Sequence, residues 1–111
     1  MQREEYNQQK LFDAIASEYD AHYSDPFAAE YRRRFLYNEM FDGIDFSGAH
    51  VLEAMCGSGQ VTEYLLPKGA EMIGLDISPE MIKIFRKKFP NCAVSCRSIL
   101  DSGFEHGRFD V

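Results

Sequence analysis

Leu11, Phe12, Ile15, Ala16 and Tyr19 recur at three- and four-residue intervals and predict an amphipathic helix over residues 1–20. Asp25-Pro26 reads as an N-cap followed by a first-turn proline. It opens a second helix, to about Phe41, with Ala28, Tyr31, Phe35 and Leu36 on its apolar side. Asp42-Gly43 ends that helix, and Phe46-Ser47-Gly48-Ala49 is a turn. The pattern then changes. Short apolar runs at 50–54, 71–75 and 93–96 read as strands. Between them lie two helices. Residues 60–66 form the first, which Pro67-Lys68-Gly69 closes. The second has Ser78 as N-cap, Pro79 in its first turn and Met81, Ile82, Phe85 and Phe89 as its apolar stripe. Lys83, Arg86, Lys87 and Lys88 face water near its end, which suits the negative pole of a helix, and Pro90-Asn91 breaks it.

Strands alternating with helices make an α/β chain with a parallel sheet joined by right-handed crossovers. At 111 residues there is room for one domain. The net charge of −6 disfavours a nucleic-acid partner, since phosphate backbones repel an acidic surface. The triplet Arg32-Arg33-Arg34 does not reverse this: consecutive helical residues fan around the axis, so these side chains are expected in solvent beside carboxylates. No run of 18 apolar residues suggests a membrane span, and the polar start Met1-Gln2-Arg3-Glu4-Glu5 lacks a signal-peptide core, which makes the cytoplasm the expected location. Three cysteines, Cys56, Cys92 and Cys96, are an odd set that predicts free thiols, packing roles and no metal site.

The chemistry gathers at Val51-Leu52-Glu53-Ala54-Met55-Cys56-Gly57-Ser58-Gly59, a strand that ends in two closely spaced glycines before a helix. Glycines let the backbone approach a ligand, and the helix start offers free N–H groups. Asp76 ends the second strand 23 positions after Glu53, the spacing of a ribose-binding carboxylate. These residues point to a cofactor containing a nucleoside.

The stretch 51–59 resembles the first motif of the class I methyltransferases that use S-adenosylmethionine, and Leu75-Asp76-Ile77-Ser78 with Met81 resembles their second. Glu53, Gly57 and Gly59 match, while Met55 stands in place of the first glycine, which implies a somewhat different turn. The resemblance covers residues 10–111 and implies a three-layer, doubly wound Rossmann-like sheet of order 3-2-1-4 behind two N-terminal helices. By that resemblance the sheet would be truncated: three strands and, at Gly107-Arg108-Phe109-Asp110-Val111, the first residues of a fourth, where a complete domain has seven. Residues 1–45 would form a helical lid, with Tyr19 or Tyr23 near the cofactor, and 46–111 the cofactor-binding half.

The resemblance also implies roles. Asp76 would hold both ribose hydroxyls; Gly57 and Gly59 would pass under the ribose and amino-acid tail, with Cys56 in the same loop; Glu53 would reach the ammonium group; Ile77 and Met81 would flank the adenine. Ser98, beside Ile99, takes the place of an acidic residue that binds the adenine amino group, with Asp101 as a nearby substitute. The acceptor would be a small molecule. No catalytic base is assigned, His22, His50 and His106 being candidates by type alone. Two other readings stand beside this one. A nicotinamide- or flavin-dependent oxidoreductase would need a third glycine where Thr62 stands. A non-catalytic half-domain would bind a partner protein, or a second copy of itself, through an exposed sheet edge.

Overall fold

The computed structural model describes residues 2–111. Helix α1 (Arg3–Tyr23) leads into α2 (Pro26–Arg32), a π-helical turn (Arg33–Tyr37) and a short α3 (Asn38–Met40). Strand β1 (His50–Ala54) is followed by α4 (Gln60–Leu65) and a 3-10 turn (Leu66–Lys68). Then come β2 (Glu71–Asp76), α5 (Pro79–Lys88), β3 (Ala93–Cys96) and a last 3-10 turn (Ile99–Asp101).

The three strands are parallel in the order β1-β2-β3, with Val51 opposite Met72 and Leu75 opposite Ser95. No fourth strand forms among the described residues, but the chain end lies along the free side of β1. Asp110 N–H donates to His50 O at 2.8 Å and Leu52 N–H to Val111 O at 3.0 Å. Those two bonds place the segment where a strand of order 3-2-1-4 belongs.

Both crossover helices are set by their apolar residues. Leu65 of α4 packs with Phe46, Val51, Ala70 and Met72, and Phe85 of α5 packs with Cys56 and Ile82. Gly74 makes the second contact close: a Cβ there would lie 3.0 Å from both Cys56 Sγ and Phe85 Cζ. Ser78 caps α5 as its position predicts, its hydroxyl accepting from Met81 N–H at 3.2 Å.

The second helix departs from its predicted face. Tyr31, Phe35 and Leu36 are exposed, and Tyr37 is buried instead. A π turn bonds i to i+5 instead of i+4, so Phe35 and later side chains rotate relative to those before residue 33, while Tyr31 precedes the turn and is exposed on α2 itself. The rotation turns Tyr37 and Phe41 onto Tyr64 of α4, with ring centroids 5.1 and 5.8 Å apart. Arg33 and Arg34 reach Glu30 as expected, but Arg32 turns inward, donates to Tyr23 O and stacks on the Tyr23 ring. Lys88 likewise leaves the solvent to pair with Asp20.

Candidate functional site

A cleft of about 530 Å³ opens at the C-terminal ends of β1 and β2, where open parallel sheets bind ligands. Gly57, Asp76, Ile77, Met81, Ser98 and Ile99 all line it. Glu53, Cys56 and Gly59 do not.

The loop after β1 is shaped by left-handed residues. Gly57 has φ +53°, and a Cβ on it would sit 3.6 Å from Tyr19 Cε1 and 4.0 Å from Met81 Sδ, so its bare side faces the cleft. Gly59 faces the other way. At φ +94° its Cβ would lie 2.6 Å from Phe89 and 2.9 Å from Phe85, so the helix α5 aromatics by themselves require glycine there. Met55 takes φ +53° itself, although it carries a side chain, and that side chain is 74% exposed. The turn at 55 is thus left-handed despite the missing glycine.

Asp76 is buried and has two backbone partners. Gly57 N–H donates to Oδ2 at 2.8 Å and Ser78 N–H to Oδ1 at 2.9 Å. The carboxylate fastens the glycine loop to the head of α5. Each oxygen has a second lone pair, so capacity for ligand hydroxyls remains on the cleft side.

Glu53 lies under the loop. Its Oε1 accepts from Thr62 N–H at 2.6 Å and from Thr62 Oγ1 at 3.0 Å, capping α4 from outside the helix. Burial pushes its carboxyl up to about 7, against the pull of the Thr62 hydrogen bonds. Cys56 is enclosed by Ile82 and Phe85, and burial raises its thiol far above the reactive range. It is a core residue.

Beyond β3, Ser98 Oγ accepts from Leu100 N–H at 3.1 Å and starts the last 3-10 turn, which brings Ile99 and Leu100 to the cleft. Asp101 turns away from it and pairs with Arg97 at 3.4 Å. His22, His50 and His106 are exposed and outside the lining, and His50 Nδ1 sits 2.9 Å from Glu71 on the sheet surface.

Helix α1 forms one wall, through Glu4, Glu5, Gln8, Phe12 and Tyr19. Of these, sequence reasoning placed Phe12 and Tyr19 on the apolar side of the helix and named Tyr19 as a cofactor contact. Its neighbour Tyr23 stacks on Tyr19 at 4.4 Å and stays outside the lining. Three polar contacts tie α1 to the head of α5: Gln9 Nε2 donates to Ile77 O at 3.1 Å, Ser78 Oγ donates to Asp13, and Glu80 N–H donates to Asp13 at 3.1 Å. Asp13 follows Phe12 in the stretch expected to form the lid, but nothing in the residue pattern assigned it a partner.

The residues present fit a nucleoside-bearing cofactor: a glycine bare toward the cleft, a carboxylate with lone pairs to spare, and apolar walls from Ile77, Met81 and Ile99. Known proteins agree with that fit. A family profile described as "Methyltransferase domain" matches residues 51–111. The chain is 33% identical over 115 residues to a demethylmenaquinone methyltransferase of Lactiplantibacillus plantarum, an alignment covering 96% of this chain and 48% of that protein. It is 39% identical over 46 residues to a magnesium-protoporphyrin O-methyltransferase of Rhodobacter capsulatus, covering 41% of this chain and 20% of the relative. The chain thus spans less than half the length of either relative. A TehB-like SAM-dependent methyltransferase of Corynebacterium glutamicum superimposes with TM-score 0.58 at 26% identity, over 74% of this chain and 44% of that one. With the profile covering more than half of its length, on a sheet and cleft of the matching kind, the chain belongs to the methyltransferase domain family.

Proposed function

We propose that this protein serves an S-adenosylmethionine-dependent methyl transfer to a small molecule, with residues 46–111 as the cofactor-binding half and residues 1–45 as a helical lid. The observation that carries the reading is the convergence of Gly57, Asp76, Ile77, Met81, Ser98 and Ile99 on one cleft at the strand ends. The small-molecule acceptor is supported by relatives named for protoporphyrin, ubiquinone biosynthesis and demethylmenaquinone.

When bound, the cofactor supplies a methyl group already activated by its sulfonium. The protein's work is then to bind, orient and exclude water, and positioning alone lowers such barriers by roughly 7–11 kcal/mol. Asp76 offers its outward lone pairs to the ribose. Gly57 lets the loop lie against the ligand. Glu53 holds the α4 end of that loop and, once ionised, sets a negative charge beneath it. Tyr19 and Phe12 cover the cleft from α1.

Calorimetric titration with S-adenosylhomocysteine and, in parallel, NAD tests the reading. Binding of the first alone is expected, and binding of NAD instead, or of neither, overturns it. Hydrogen bonds to a charged group contribute about 1.5–3 kcal/mol, so Asp76→Ala is expected to weaken S-adenosylhomocysteine binding by about 10- to 150-fold. The same change strands two backbone N–H groups, so the melting temperature is expected to fall as well. Asp76→Asn can accept from only one of them and is expected to recover part of each loss. Unchanged affinity in Asp76→Ala would remove Asp76 from the site.

A further inference from the structure

Met55 is the one non-glycine among the described residues with a positive φ, at +53°. Left-handed backbone is unfavourable for a side chain bearing a Cβ and free for glycine. The conformation is imposed by its surroundings: Cys56 N–H donates to Leu75 O at 2.9 Å, which ties the turn to β2, and Gly59 N–H donates to Cys56 O at 2.9 Å, which closes the loop on itself. A glycine at 55 would satisfy that turn without strain. The methionine gains nothing from the core either, since its side chain is 74% exposed. What it does reach is the cleft, whose lining it shares with Gly57, Leu75 and Ile77.

We infer that Met55 is a ligand-positioning residue, whose thioether side chain folds over the bound nucleoside cofactor from the loop side and closes the mouth of the cleft. This rests on the cofactor reading given above. Methionine suits such a cover because it is unbranched, has three rotatable bonds and presents a polarizable sulfur that adapts to flat or irregular apolar surfaces. The strain is then a loss in the free protein that is offset only when the ligand is present. Stability and affinity therefore respond to position 55 with opposite signs, which a packing residue does not do.

The test compares the intact protein with Met55→Gly and Met55→Ala, by thermal melting and by titration with S-adenosylhomocysteine. Met55→Gly is expected to melt higher than the parent and yet bind about three- to tenfold more weakly, as partial loss of a covering apolar side chain implies. Met55→Ala keeps the strained backbone and loses the cover, so it is expected to bind as weakly as the glycine variant without melting higher. That variant also separates loss of the side chain from the added freedom of glycine. If the parent binds and both variants bind equally well, Met55 has no positioning role, while the cofactor reading stands. If the folded parent does not bind at all, both fall together.

Discussion

Glu53 shows how one carboxylate can be structural and titratable at once. Its proton is held by burial, and the two Thr62 contacts cannot fully offset that. The unfolded chain releases the proton near 4.5 and the folded protein near about 7, so between these values the folded state binds more protons. The Glu53 contribution to stability therefore falls as pH rises through that window and is level above it. Urea midpoints measured from pH 4.5 to 7.5 are expected to show this downward component in the parent and not in Glu53→Gln. A cation brought beside Glu53 would expel the proton, so affinity for a cationic ligand is expected to rise with pH through about 7. The glycine loop and Asp76 were legible from spacing because strand–turn–helix geometry restricts residue type so strongly. The opposite duties of Gly57 and Gly59 were not, because only three-dimensional neighbours show which side of a glycine is bare. The spacing marked Asp76 as a candidate ribose partner but not as a clasp, since its two backbone partners belong to different elements.

At the level of elements, the strands and both crossover helices follow their apolar patterns, and Ser78 caps where a serine before Pro79 should. The second helix did not, because a π turn changes the phase of every later side chain without leaving a signature in residue type. The attachment of α1 was equally hidden, resting on single polar side chains about 65 residues from their partners. Asp13 and Ser78 act as a pair: Ser78 Oγ donates to Asp13 while accepting from Met81 N–H. Loss of an N-cap typically costs about 1 kcal/mol. Ser78→Ala and Asp13→Ala are each expected to be destabilising, and their double mutant to lose less than the sum, by roughly 0.5–1.5 kcal/mol. Additive losses in denaturant melts would mean that the two residues act separately.

For the whole molecule, the sheet has two margins that differ. β3 carries one, and the other is β1, whose His50 and Leu52 backbone groups are taken by residues 110 and 111. Strand edges left unpaired invite pairing with another chain. Removal of residues 109–111 is accordingly expected to raise the weight-average mass in sedimentation, and an unchanged mass would mean that this segment does not shield β1. The contacts of α1 have a further consequence, for synthesis. Gln9, Asp13 and Asp20 find their partners at Ile77, Ser78 and Lys88, 65 to 68 positions later. On a ribosome adding about 5–20 residues per second, α1 waits roughly 3–14 s before the surface it docks on exists. Only Ala16 of that helix is buried in the finished fold, and its exposed face is rich in Glu, Gln and Lys. A helix so sparing of apolar contact can wait in water without seeking another partner, and this wall of the cleft is set in place only once α5 has been made.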